Sequence, residues 1–502
     1  MADTITSFRV LLPLIITFLS PFGIWLLRGN INMREGVSFA AAAAAFLSVL
    51  SMVPAVLNGQ IWTYHMFTIL PGIEVKFAVD GLALIFALIA TFLWFLATSY
   101  NIGYMRELRE HAQTRYYFCF AVAIFGAVGV AFSANVFTLY LFYEIITVFT
   151  YPLVAHHQDD EAYSGARKYL VYLMGTSKLF LLPAMVLTYV LCGTLDMHLG
   201  DIVTGMPFPV EEHPILVTIT YVLFIAGLAK AAIMPLHNWL PSAMVAPTPV
   251  SALLHAVAVV KAGVFCICRV ILSVFGLETM QTLNLGLPLA FLAAFTILVA
   301  SIIALTKDDL KARLAYSTVS QLSYVVIGVA MLSPFAVQGG AVHIAHHAFS
   351  KITLFFAAGA IYVATHHKKI SNMGGFGWRM PWTFGAFTLA SFSMIGVPPV
   401  CGFVTKWYLV NGALQIDQVI LVVALLGSTI LNAGYFGPVI WRAFFKPAAP
   451  GVDPGKYSEA PLVMVVPLFL TAVISVLLGL YPELFLQFIR AMDSSVFAAF
   501  LH

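Results

Sequence analysis

Apolar runs of about eighteen residues or more recur along the whole chain, parted by short polar stretches. They fall at about 10–27, 37–57, 79–100, 116–133, 135–155, 169–191, 214–233, 250–273, 286–305, 314–332, 341–364, 384–411, 418–441 and 460–481. Each approaches the ~20 residues that let a helix cross the hydrocarbon core. Alternating ten-residue strands, the mark of an outer-membrane barrel, are not the pattern here. The fourteen runs predict an all-α polytopic membrane protein with about 14 transmembrane helices. The first run lacks a small-residue cleavage signal and is followed by further spans. It is therefore read as helix one rather than a signal peptide.

Two runs are interrupted. Met234-Pro235 ends the seventh, and Gly396-Val397-Pro398-Pro399 splits the twelfth. Proline removes a backbone donor and clashes with the preceding turn. In lipid such a break survives only where protein or water satisfies the freed groups. Spans four to eight and nine to thirteen form two blocks of five, each with its broken helix in fourth place. An odd number of spans per block inserts the two copies with opposite topology, and paired breaks in such halves point to a transport site near the midplane. The predicted organisation is a three-helix segment (1–115), a first inverted repeat (116–273), a second (286–441), and helix fourteen with its tail (442–502).

Charge sets the orientation. Sixteen Lys and Arg residues follow odd-numbered spans, from Arg28 to Lys456, while Arg9, Lys76 and Arg490 lie on the opposite side. Basic loops stay cytoplasmic. The expectation is a multi-pass protein of the bacterial cytoplasmic (inner) membrane with both termini outside.

Composition agrees and excludes much. Of 502 residues 61% are hydrophobic and only 9% charged, against about 25% charged in soluble domains. A net charge of +3 without a basic run gives no argument for nucleic acid. The five cysteines form no CxxC. No haem, iron–sulfur, zinc, dinucleotide or Walker motif is present, so no cofactor, no metal and no catalytic site of this chain's own are expected.

Against that background a few charges stand where they are expensive. A charge at the bilayer centre costs about 2.5–3.5 kcal/mol on insertion scales. Glu144, Lys178, Lys230, Lys261, Lys351 and Lys406 all fall inside spans or beside the two breaks. Burial makes a lysine release its proton more readily, and a nearby carboxylate restores its hold. Moving Glu144 toward or away from Lys230 would thus load and unload the lysine. The bland alternative is a static Glu144–Lys230 ion pair. It accounts poorly for the other lysines, which lack an acid in the spans. His343, His347 and Lys351 are spaced i, i+4, i+8 along one helix ridge, about 12 Å end to end, with His346 beside it. Imidazole relays protons through either nitrogen. His255 and Lys261 do not share a face, so water or Ser251 would have to join them. His156, His157, His366 and His367 read as solvated loop residues.

The segment Lys230–Gly263, KAAIMPLHNWLPSAMVAPTPVSALLHAVAVVKAG, resembles the core of the antiporter-like subunits of respiratory complex I, membrane-bound hydrogenases and Mrp cation/proton antiporters. Phe142-Tyr143-Glu144, LKARLAYSTVSQLSYV from Leu310 and HIAHHAFSKITLFF from His343 extend the resemblance to about residues 77–481. It implies that Glu144 and Lys230 are a charge-switch pair and Lys261 a central lysine. It also implies that His255, His343, His347 and Lys351 form a relay, and Lys406 the exit. It implies nothing for Lys178. Lys406 and the run from Val452 to Pro461 look most like the D subunit of Mrp antiporters.

The function expected is a proton-translocating subunit of a multisubunit Na⁺ or other monovalent-cation/H⁺ antiporter, with other membrane subunits as partners. The alternative is the proton-pumping membrane subunit of a complex I-like oxidoreductase or a membrane-bound hydrogenase. A mere scaffold would have no use for costly buried lysines.

Overall fold

The computed structural model describes residues 3–450, 452–493 and 496–497, without the side chains of Leu254, His255 and Pro454. The chain folds as a helical bundle with one small sheet at the edge. The sheet holds β1 (Thr4–Thr6), β2 (Ile61–Leu70) and β3 (Ile73–Val79), with β1 parallel to β2 and β2 antiparallel to β3. The hydropathy pattern predicts no strands. The β2–β3 hairpin occupies the stretch between the second and third runs, where turn residues Pro71-Gly72 reverse the chain.

The first helices are α1 (Leu12–Leu26), α2 (Ile31–Leu50), α3 (Val53–Leu57), α4 (Gly81–Glu107), α5 (Gln113–Phe132) and α6 (Val136–Val154). Then follow α7 (Asp160–Thr176), α8 (Leu182–Cys192) and α9 (Pro214–Gly227). The first break holds α10 (Trp239–Ser242), and α11 (Thr248–Ala252), α12 (Val259–Arg269) and α13 (Gly276–Thr282) complete the next run. Beyond it lie α14 (Gly286–Leu305), α15 (Leu310–Ala330), α16 (Pro334–Thr365), α17 (Pro381–Ile395), α18 (Cys401–Gln415), α19 (Val419–Phe445), α20 (Leu462–Leu480) and α21 (Glu483–Arg490).

Local chemistry fixes many of the starts. Asn30, Asp80, Asn135, Asp159 and Asp309 each accept a backbone N–H of the first turn of α2, α4, α6, α7 and α15. Such caps satisfy donors that the helix cannot.

Eleven helical segments are long and apolar enough to cross a membrane, among the described residues. The fourteen expected runs exceed these by three: α9 is short, with 14 residues, α15 is rich in serine and tyrosine, and the twelfth run is split into α17 and α18 by the break at 396–400. The seventh run breaks earlier than its proline suggests, since α9 stops at Gly227 and a 3₁₀ turn follows over Ala229–Ala231.

The core lies around α4, α12, α15 and α16. Every residue of α12 is buried, as is nearly all of α16. Large apolar side chains on the flanking α9, α19 and α20 are exposed, among them Ile215, Ile430 and Leu462. A belt of that kind suits lipid or the apolar face of a neighbouring protein.

Candidate functional site

Lys230 stands in the 3₁₀ turn that follows α9 and is fully buried. Its Nζ donates to the Tyr143 carbonyl at 2.6 Å and lies 3.1 Å from the centre of the Tyr143 ring. The Tyr143 hydroxyl accepts the Lys230 backbone N–H at 3.3 Å. Pro235 follows a cis bond in the same break. The freed backbone groups are met by protein, as the break requires: Trp239 Nε1 donates to the Ala229 carbonyl at 3.0 Å. Gly263 on α12 lets the break pack close, since a Cβ there would meet Ala231 N at 2.2 Å.

The adjacent Glu144 on α6 does not pair with Lys230. Its Oε2 lies 3.5 Å from Lys178 Nζ, and Lys178 also donates to the Tyr140 hydroxyl at 2.6 Å. Neither Glu144 oxygen makes a hydrogen bond among the described residues. Lys178 sits in a π-helical turn, Ser177–Leu181, between α7 and α8. The wide turn displaces the side chain from the register of a regular helix, so the sequence pattern could not place it. Its side chain is 48% exposed.

Lys261 is fully buried on α12, and its Nζ contacts His347 Nδ1 of α16 at 2.6 Å. The His347 and His343 rings stand 5.7 Å apart, centre to centre. His343 and His346 both bond the Thr405 hydroxyl of α18, at 3.1 and 2.9 Å. The next residue, Lys406, donates to the Ile395 carbonyl at 2.5 Å and to the Thr429 hydroxyl at 2.9 Å. It lies 5.5 Å from the Tyr324 ring centre, and that ring lies 5.5 Å from the His343 ring. Lys406 thus satisfies one carbonyl freed by the second break, where Pro398 and Pro399 are joined by a cis bond. Asn432 meets another, the Met394 carbonyl, at 2.9 Å.

The three residues of the ridge on α16 therefore face three different helices. His343 meets α18, His347 meets α12, and Lys351 meets α15 through the Ser317 hydroxyl at 2.8 Å. Tyr435 donates its hydroxyl proton to Asn432 at 2.6 Å, and its oxygen lies 3.0 Å from Ser317 Oγ. Lys230, Lys261, Lys351 and Lys406 have no carboxylate within ion-pair distance among the described residues. Ser251 donates its hydroxyl to the carbonyl of Pro247, just before α11, at 3.5 Å. The side chain of His255 lies outside the described residues, though its backbone belongs to a second π-helical turn, Leu253–Val257.

Ion pairs at two buried carboxylates were missed by sequence reading. Arg269 makes a bidentate pair with Asp80, both contacts 2.6 Å, tying α12 to the start of α4. Glu35 on α2 pairs with Arg34 and Arg106. Asp80 also caps α4, accepting the Ala83 backbone N–H at 2.9 Å. Its partner is 189 residues away and no local signal links them.

Comparison with known proteins places this arrangement. The pattern of the NADH:quinone oxidoreductase/Mrp antiporter transmembrane family matches residues 133–432. That of the complex I chain 5 N-terminus matches residues 71–117. NADH-quinone oxidoreductase subunit N of Desulforudis audaxviator is 32% identical over 488 residues, covering 94% of this chain and 96% of the relative. The A/B component of a probable K⁺/H⁺ antiporter of Rhizobium meliloti is 30% identical and covers 90% of this chain, but the match spans only 45% of that longer protein. A chain in the structure of the Mrp complex from Dietzia sp. superposes with a TM-score of 0.84 at 18% identity, covering 98% of both chains. That last likeness concerns the fold.

Proposed function

This chain belongs to the NADH:quinone oxidoreductase/Mrp antiporter membrane family, and from that premise we propose that it is the proton-translocating subunit of a multisubunit monovalent-cation/proton antiporter. The observation that carries the reading is the Lys261–His347 contact in the buried interior. It joins the segment 116–273 to the segment 286–441, the two halves read as inverted repeats. From it a row of polar side chains runs through His343 and the Thr405 hydroxyl toward Lys406, the residue next to Thr405. No redox or nucleotide chemistry is asked of such a row, because lysine and imidazole supply the proton sites themselves.

In this reading Glu144 is the loading carboxylate, exchanged between Lys178 and Lys230. Lys261 is the centre, His347, His343 and Lys351 relay, and His255, His346 and Ser251 assist. Lys406 releases the proton. The breaks at Pro235 and at Pro398-Pro399 lie beside Lys230 and Lys406. The basic loops face the cytoplasm of a bacterial inner membrane and both termini lie outside. The partners are other membrane subunits, and Na⁺ or a similar cation is the exchanged ion. The D subunit of an Mrp assembly is the member proposed.

A second reading has its own support. The Desulforudis relative, matched over 96% of its length, is named for an oxidoreductase. The same proton path would then be driven by redox centres on other subunits. Mild purification followed by mass spectrometry of co-eluting chains separates the two. Small membrane subunits without cofactors support the antiporter, and cofactor-bearing peripheral subunits overturn it in favour of the second reading. Everted vesicles carrying the assembly should alkalinise or acidify on a Na⁺ pulse; no response in vesicles that contain it would contradict the antiporter.

A further inference from the structure

Away from the buried row, the loop between α4 and α5 meets the end of α6. Glu110 and His111 lie in that loop, and His156 lies just past α6. One ligand atom from each falls within 4.8 Å of the others. His156 is fully buried, and neither of its ring nitrogens has a hydrogen-bond partner among the described residues. A buried imidazole with neither nitrogen partnered is costly. His156 Nε2 points instead at Glu110 Oε2, 3.6 Å away. In a tetrahedral site with bonds of about 2.0–2.2 Å, neighbouring ligand atoms stand about 3.4 Å apart. The Glu110–His156 pair therefore already has the spacing of two ligands on one ion.

We propose that Glu110, His111 and His156 form a binding site for a divalent cation of the zinc class. Two imidazoles and one carboxylate suit borderline metals rather than Mg²⁺ or Ca²⁺, which prefer oxygen ligands. A fourth position can be filled by water or by His157, whose Nδ1 lies 3.8 Å from the same Glu110 oxygen. The Arg115 guanidinium donates to the His156 carbonyl at 3.0 Å, which fixes the loop while the ring is left for the ion. Entry is open, because Glu110 and His157 also line a cavity of about 600 Å³ shared with Asp159, Lys311 and His367. The site is separate from the Lys261–His347 row and does not depend on proton transport.

The test uses the full chain in its purified assembly, stripped with EDTA and dialysed. CoCl₂ is titrated in and visible absorption followed, with ZnCl₂ as competitor. The proposal expects a saturable Co²⁺ signal of tetrahedral type, displaced by Zn²⁺. His111→Ala and Glu110→Gln should weaken it by about tenfold or more, and His65→Ala should leave it unchanged. His111 is exposed, so its variant tests binding without disturbing the fold. Absence of the signal in the native protein, or equal signals in native protein and both variants, would overturn the proposal and leave Glu110–His156 as a structural contact.

Discussion

Lys178 Nζ lies 3.5 Å from the Glu144 carboxylate, while Lys230 binds the carbonyl of the neighbouring Tyr143. Two lysines thus flank one acid, one engaged with it and one held a residue away. If the carboxylate moves between them, each lysine should matter differently. Glu144→Gln and Lys230→Ala are expected to lower coupled transport at least about tenfold with the assembly intact, a barrier change of about 1.4 kcal/mol or more. Lys178→Met should free the carboxylate for Lys230 and alter the rate without abolishing it. Fluorescence quenching by a pH-sensitive dye in proteoliposomes reads all three. Near-normal rates in Glu144→Gln and Lys230→Ala would sink the switch.

The bidentate Arg269–Asp80 pair is fully buried and predicts a stability effect rather than a transport one. Removing one partner leaves an uncompensated buried charge, at a cost of about 3–5 kcal/mol. Asp80→Asn should therefore lower the melting temperature in detergent markedly. The double variant Asp80→Leu/Arg269→Met should recover much of the loss, because an apolar pair of similar volume needs no desolvation. A double variant less stable than either single one would show that the pair does more than close the core.

Gly263 offers a test of the first break. A Cβ there would stand 2.2 Å from Ala231 N and 2.4 Å from the Lys230 carbonyl carbon. Gly263→Ala should push the Lys230 segment away from α12, with about 1–3 kcal/mol of overpacking and a fall in transport. Gly437→Ala is the control, since nothing lies within 4 Å of its Cβ position. Equal transport in the two variants would mean that the close approach has no functional part.

The spans, the two breaks and the buried lysines were legible because each rests on a local cost. Apolar length, a missing proline donor and a charge in hydrocarbon all register in a window of some twenty residues. What was not legible depends on register or distance. The π-helical turn at Ser177–Leu181 moves Lys178 onto Glu144, and nothing in the apolar pattern announces an extra residue in a turn. The ridge of His343, His347 and Lys351 was visible as a spacing, but its three separate partners were not. The Arg269–Asp80 pair and the grouping of Glu110 and His111 with His156 join residues far apart in the chain, so they exist only once the bundle is packed. The β2–β3 hairpin was hidden between two strongly apolar runs that drew the boundaries.

The central claim is that protons cross through the Lys261–His347 contact. The most direct measurement is proton flux in proteoliposomes containing the intact assembly, comparing the native protein with Lys261→Ala, His347→Ala and Lys406→Ala. The account predicts that each single variant lowers flux at least about tenfold, and that Lys261→Ala/His347→Ala is no worse than either single variant, as for residues acting as one unit. Flux near the native rate in Lys261→Ala, or a block that appears only in Lys351→Ala and not in Lys406→Ala, would contradict it.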